Sequence, residues 1–129
     1  MKTRKFLMSI VCFSLLLSGC AVLLVGAGAV IGVGTVKYVG GELKTAEAIS
    51  LKRAWGASLK AMDDLKFDVT DTDYDETEGE IIARKAGDTK VVVTLEKRSE
   101  TVTEFGIRVG FFGDEAASMH IWEQIKKRF

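Results

Sequence analysis

Apolar side chains alternate with small or charged ones near the end of the chain, at Phe105, Ile107, Val109 and Phe111. A period of two is typical of a strand with one buried and one wetter face, and such strands belong mostly to antiparallel sheets. Three shorter runs share this character, at 67–69, 81–82 and 91–95. A sheet with one apolar face is stable only against a second layer, so other residues must supply that layer.

Two amphipathic segments are the candidates for the covering layer. Ser50 can cap a first helix, whose apolar face is formed by Leu51, Ala54, Trp55, Ser58, Leu59, Met62 and Leu65. Asp114 can cap a second helix, whose apolar face is formed by Ser118, Ile121, Trp122, Ile125 and Phe129. Both sets recur at the helical spacing of 3.6 residues, and we expect Trp55 to anchor the core.

The order of these segments predicts an α+β domain over residues 42–129. A first strand at 42–49 would be followed by a helix, four strands and a helix. Both helices would pack on one face of a curled antiparallel sheet (β-α-β-β-β-β-α). Ala86-Gly87-Asp88 has the composition of a hairpin turn, and Gly40-Gly41 predicts a flexible junction just before the domain.

The N-terminus has the pattern of a secretory signal: a basic start, then an apolar run from Phe6 to Leu17 that is too short to span a bilayer. The run ends in Leu17-Ser18-Gly19-Cys20, which resembles the lipobox of bacterial lipoproteins. The resemblance implies that a signal peptide, residues 1–19, is cut between Gly19 and Cys20. It also implies that Cys20 receives a diacylglyceryl group and that the new amino terminus is acylated. The alternative is a chance thiol within an uncleaved signal anchor.

Acyl chains on Cys20 would hold the protein in membrane lipid, in the cell envelope and facing the periplasm. Ala21 follows the cysteine where, in the lipoproteins of enteric bacteria, an Asp favours the inner membrane. By that resemblance we expect the outer membrane. Cys12 would leave with the signal peptide, so the mature chain would have no second cysteine for an intramolecular disulfide.

Residues 20–41 form a membrane-proximal segment that contains a sixteen-residue uncharged stretch, 21–36. Such a stretch must be buried. It could be a bilayer helix in which Gly28 and Gly32 pack against a second copy; it could pack on its own domain, or associate loosely with lipid. Its glycine spacing imitates a dinucleotide-binding turn. The strand of that motif would begin one residue after Cys20, with no parallel βαβ unit behind it, so we expect no cofactor.

Several of these features together resemble a family of small bacterial lipoproteins whose shared domain has no known function. They are the lipobox with its Gly- and Ala-rich continuation, the 51–65 helix with Trp55, and the 105–112 strand with its junction to Asp114. The resemblance covers nearly the whole chain. It implies the location and limits of the domain, and no activity or site residues.

The residue types that carry chemistry form no convincing site. An acidic run consists of Asp71, Asp73, Asp75, Glu76 and Glu78. A calcium-binding EF-hand loop would need Gly at its sixth position and an acid at its twelfth, where this chain has Glu76 and Ile82. We therefore interpret the run as a solvated strand end and expect no metal site.

His120 is the single histidine, and Ser118 lies two positions before it on the predicted last helix. Side chains two apart on a helix do not face each other, so this pair is a poor nucleophile and base. We expect His120 to be a partly exposed helix residue. Arg108, on the strand at 105–111, is either solvated or an anchor for a partner.

Eighteen Lys and Arg balance eighteen Asp and Glu, so no basic field favours nucleic acid. We therefore expect no enzyme, but a non-catalytic binding or structural module of the envelope with a protein partner. The alternatives are a membrane element that self-associates through Gly28 and Gly32, giving a homo-oligomer, and a carrier of a lipid or another apolar ligand.

Overall fold

The computed structural model describes residues 31–129 of the chain. In this part of the chain the order of elements is β-β-α-β-β-β-β-α. The strands are β1 (Val36–Val39), β2 (Glu42–Glu47), β3 (Asp68–Tyr74), β4 (Glu78–Lys85), β5 (Thr89–Ser99) and β6 (Val102–Val109), and the helices are α1 (Leu51–Asp64) and α2 (Glu115–Lys126). The predicted α+β class is confirmed.

The six strands form one antiparallel sheet in the order β1-β2-β6-β5-β4-β3. Strands β3 to β6 follow one another as consecutive hairpins, and β2 pairs with β6. Helix α1 therefore carries the chain from β2 across the sheet to the edge strand β3. One bulge lies between Val69 and Asp71 on β3 and another between Lys97 and Ser99 on β5. Bulges of this kind bend and twist a strand.

The sheet begins earlier in the chain than we predicted. Strand β1 lies within the segment that we assigned to the membrane-proximal region, and it pairs along β2. Gly40 and Gly41 form the turn between these strands, with φ values of 61° and 84°. Two positive φ values suit a two-residue hairpin turn, so the prediction of a flexible junction is wrong.

The residues just before β1 pack on the domain. Ile31 is buried, and Val33 forms a parallel bridge with Ala46 of β2. The helix that we considered for residues 21–36 therefore does not extend through 31–36. No helix within residues 31–129 is long and apolar enough to cross a membrane. The predicted signal peptide, Cys20 and Gly28 lie outside the described residues.

Both helices begin at the predicted caps. The Ser50 hydroxyl accepts a hydrogen bond from the N–H of Arg53 at 3.4 Å, and the Asp114 carboxylate accepts one from the N–H of Ala117 at 3.0 Å. The C-terminal ends of the two helices are also joined. Asp64 is the last residue of α1, and its carboxylate accepts a hydrogen bond of 2.6 Å from the Nε of Arg128, which follows α2. This ion pair ties the two helix ends together and lowers the pKa of Asp64.

The core lies between the two helices and one face of the sheet. The rings of Phe105 on β6 and Trp122 on α2 are 4.9 Å apart. Side chains of the predicted alternating runs join them, and the largest buried ones include Leu43, Met62, Ile81, Leu95, Ile107, Ile121 and Ile125. Trp55 is only half-buried and stacks on Tyr74, with 4.8 Å between the ring centroids.

Candidate interaction surface

Among residues 31–129, the two helices cover one face of the sheet and no element covers the other face. Strand register aligns the side chains of this open face in rows that cross the sheet. One row passes from β2 to β3 through Lys44, Gly106, Thr94, Glu80 and Asp73. Neighbouring strands are about 4.8 Å apart, so a row of this kind brings charges from separate strands close together.

One half of the open face is an acidic trough. Its carboxylates come from β2, β3, the β3–β4 turn and strands β4, β5 and β6: Glu42, Asp73, Asp75, Glu78, Glu80, Glu96 and Glu104. The floor is at Gly106, where a Cβ would overlap the Oε1 of Glu42 and the Oγ1 of Thr94. A residue with a side chain there would fill the trough, so its depth depends on glycine.

Arg98 neutralises part of the acidic trough. Its Nε donates a hydrogen bond of 2.7 Å to Glu104, and its Nη1 lies 3.4 Å from Glu96. The hydrogen bond to Glu104 raises the pKa of Arg98 above its ordinary value. Lys44, a cation that lines the trough, lies 3.8 Å from Glu42. The other carboxylates give the trough a net negative charge.

The carboxylate of Asp75 organises the turn at the end of the trough. It accepts hydrogen bonds from the N–H and hydroxyl of Thr77 at 2.7 and 2.8 Å, and from the N–H of Glu78 at 2.9 Å. These donors, the N–H of Thr77 first, hold the pKa of Asp75 below its ordinary value. Asp75 is therefore a structural residue of the β3–β4 turn.

The other half of the open face is a cationic groove of about 660 Å³. Its charged residues are Arg84, Lys90 and Arg108, on β4, β5 and β6. Phe111 and Phe112 complete its walls, and their side chains are 84% and 87% exposed. Two adjacent aromatic side chains exposed to this extent are unusual for a surface that contacts only solvent.

The loop that presents these rings, residues 110–113, is held in place by the β1–β2 turn. A Cβ on Gly113 would lie 2.5 Å from the Cα of Gly41 and 2.5 Å from the Tyr38 hydroxyl. The Nη2 of Arg108 donates a hydrogen bond of 3.1 Å to the carbonyl of Phe111. The phenylalanine loop is thus packed against the sheet, while its two rings point away from the core.

The predicted position of Phe111 in the core is wrong. Phe105, Ile107 and Val109 are buried as expected, but β6 ends at Val109 and Gly110 has a φ of 73°. This left-handed residue turns the chain out of the strand, so the next ring leaves the buried face. Arg108 lies on the open face, where it orients the phenylalanine loop.

The other candidates do not form a site. His120 is exposed on α2, whereas Ser118 is fully buried. Within residues 31–129, no three His, Cys, Asp or Glu side chains are placed to hold a metal ion. Gly32 is exposed and outside any helix, and its predicted partner Gly28 is not among the described residues.

The chain matches one family model along nearly its entire length. The model is described as "Protein of unknown function (DUF3568)" and matches residues 4–128. The match therefore includes the whole sheet and both helices. No curated protein matches the chain.

Proposed function

The chain belongs to the DUF3568 family of unknown function, and from that premise we propose that it is a lipid-anchored, non-catalytic binding module of the bacterial cell envelope. The N-terminal pattern supports the anchor: a basic start, a short apolar run, and Leu17-Ser18-Gly19-Cys20. Acylated Cys20 would confine the domain to a membrane surface, the outer membrane by the reasoning on Ala21, where it faces the periplasm.

The observation that carries the binding role is the open face of the sheet. It combines an acidic trough, a cationic groove and two exposed aromatic rings on a loop that is fixed in place. Aromatic and Arg side chains on a rigid frame are the groups that dominate protein interfaces. Within residues 31–129, both helices lie on the other side of the sheet, so no described element competes with a partner for this face.

Two alternatives have less support. A carrier of apolar ligands would need space beside the buried face of β6, but there the ring of Phe105 packs on Trp122 at 4.9 Å and on Phe129 at 5.9 Å. Self-association through a glycine-rich helix would use Gly28 and Gly32, and Gly32 lies in a non-helical segment. We therefore prefer the open face.

Metabolic labelling with a fatty acid tests the anchor. The wild-type chain should incorporate label, and Cys20→Ala should not. Equal labelling of both proteins would contradict lipidation of Cys20.

Site-specific photocrosslinking in intact cells tests the binding face. Benzoylphenylalanine at position 112 keeps an aromatic group on the phenylalanine loop, and the same group at Lys60, an exposed position of α1, is the matched control. We expect protein adducts from position 112 and none from position 60. The same adducts from both positions, or none from 112, would contradict the assignment of the open face.

A further inference from the structure

Two pairs of directly opposite residues on the open face carry charges of like sign. Asp73 on β3 is opposite Glu80 on β4, and Arg84 on β4 is opposite Lys90 on β5. Like charges placed directly across a pair of strands destabilise the sheet. Within residues 31–129, neither Asp73, Glu80 nor Lys90 forms an ion pair within 4.0 Å. The acidic pair and Lys90 are therefore without an ion pair in the described domain. Arg84 is compensated, because Asp68 on β3 is opposite it and its Nε lies 3.9 Å from Asp88. Arg108 is likewise opposite an acidic residue, Glu42 on β2.

The two signs are separated along the strands. On β4, Glu80 precedes Arg84 by four residues, a distance of about 13 Å along an extended strand. Consider a two-fold axis that is parallel to the plane of the sheet and perpendicular to its strands. Rotation about this axis places a second copy face to face with the first, with the strand direction reversed. The acidic trough of each copy then meets the cationic groove of its neighbour, twice in the same interface.

From this juxtaposition we propose that the open face binds the open face of a second copy of the chain, in a symmetric dimer held by contacts between trough and groove. This inference rests on the proposed use of the open face as the binding surface. Closed two-fold symmetry requires a surface that complements itself. Two oppositely charged halves on one face meet that requirement.

The charge distribution favours a second copy over a partner of a single sign. An anionic membrane surface or nucleic acid would attract Arg84, Lys90 and Arg108 but would be repelled by the trough on the same face. A purely basic partner would be attracted by the trough and repelled by the groove. A second copy satisfies both halves at once and, in the docked position, offsets the repulsion within each like-charged pair.

The size of the face suits a small interface. Six strands and their spacing give a width of about 24 Å, and eight-residue strands give a length of about 26 Å. The resulting area, on the order of 600 Å², approaches the roughly 800 Å² per partner of a standard interface. Phe111 and Phe112 line the groove and supply the apolar anchors that such interfaces need.

Paired charge reversals test the inference. The first variant, Arg84→Glu with Lys90→Glu, makes both halves acidic. The second, Asp73→Lys with Glu80→Lys, makes both halves basic. Each variant keeps a like-charged pair at the same two positions and reverses the sign of that pair. Arg84→Glu also replaces the attraction of residue 84 to Asp68 and Asp88 by repulsion, so the stability of this variant must be measured. Thermal unfolding followed by circular dichroism verifies that both variants remain folded.

Sedimentation of the full chain in a nonionic detergent measures the association. We expect a wild-type dimer that weakens by about tenfold when salt is raised from about 0.05 M to about 0.5 M. Each variant alone should associate at least about tenfold more weakly than wild type, and an equimolar mixture should form a heterodimer at low salt. The mixture is the decisive sample, because only complementary faces restore binding in it.

Three results would overturn the proposed dimer. They are a wild-type chain that stays monomeric at about 100 µM, variants that dimerise as wild type does, and folded variants that fail to combine. Capture of phospholipid vesicles or another envelope protein by a monomeric wild-type chain would likewise replace the second copy as the occupant. Photocrosslinks from position 112 to such a protein would leave the proposed function intact while removing this inference.

Discussion

Gly113→Ala is the most informative single change in the phenylalanine loop. Gly113 has a φ of 82°, a conformation that costs a residue with a Cβ about 1–2 kcal/mol. The added methyl group would also lie 2.5 Å from both the Cα of Gly41 and the Tyr38 hydroxyl. Two backbone segments must then move apart, and overpacking of this kind costs about 1–3 kcal/mol.

Together these effects predict a loss of about 2–5 kcal/mol in the free energy of unfolding for Gly113→Ala. Gly87→Ala is the matched control. Gly87 has a φ of 85°, but a Cβ there would meet no atom within 4 Å. Only the conformational cost of about 1–2 kcal/mol should remain in the control.

Urea unfolding followed by tryptophan fluorescence measures both losses, since Trp122 is fully buried and reports on the core. The difference between the two variants isolates the close approach of the loop to the β1–β2 turn. If Gly113→Ala costs no more than Gly87→Ala, within about 0.5 kcal/mol, then the loop is not held by that turn and our account of its rigidity is wrong.

Three further predictions concern the stability of the domain, all measured by urea unfolding. Phe105→Ala should cost about 3–5 kcal/mol because its ring is fully buried, whereas Phe112→Ala, at an 87% exposed position, should change stability by no more than about 0.5 kcal/mol. Thr103→Val removes a buried 2.8 Å hydrogen bond to a backbone carbonyl and should lower the free energy of unfolding by about 1–3 kcal/mol. Thr45→Val should raise it by about 1 kcal/mol, because the Thr45 hydroxyl is buried without a partner within residues 31–129. The lowered pKa of Asp75 stabilises the fold at pH values above the ordinary aspartate pKa, and this contribution is lost as pH falls through the lowered value. Asp75→Asn should therefore make the free energy of unfolding less dependent on pH below about pH 4. An unchanged pH dependence would contradict the role of Asp75 in the β3–β4 turn.

The covered face of the sheet and both helix starts could be predicted from local sequence. Val91, Val93 and Leu95 lie two apart in the sequence and so share one face of a strand, and all three are buried. Ser50 and Asp114 cap the helices because their side chains accept hydrogen bonds from N–H groups three residues ahead. Each of these features depends on residues close together in the chain, so a period or a single cap residue reveals it.

Strand β1 could not be predicted in the same way. It has four residues and begins at the last residue of the uncharged stretch 21–36, whose composition suits a membrane segment equally well. Its structure depends on pairing with β2 through a turn of two glycines. The exposure of Phe111 had a similar cause, because the alternation continues through that residue while the strand ends at Val109.

The placement of the acidic run depends on one extra residue in β3. Val69 is opposite Ala83 on the covered face, and two residues later Asp71 is opposite Ile82, a neighbour of Ala83 that points to the other face. Without the bulge, Val69 and Asp71 would share a face, because side chains two apart in a strand point the same way. The single residue between them, Thr70, shifts the register and brings Asp71 and Asp73 to the open face. The pairing of Asp73 with Glu80 on the open face therefore depends on the bulge, and so does the acidic trough. No local pattern in the sequence indicates this bulge.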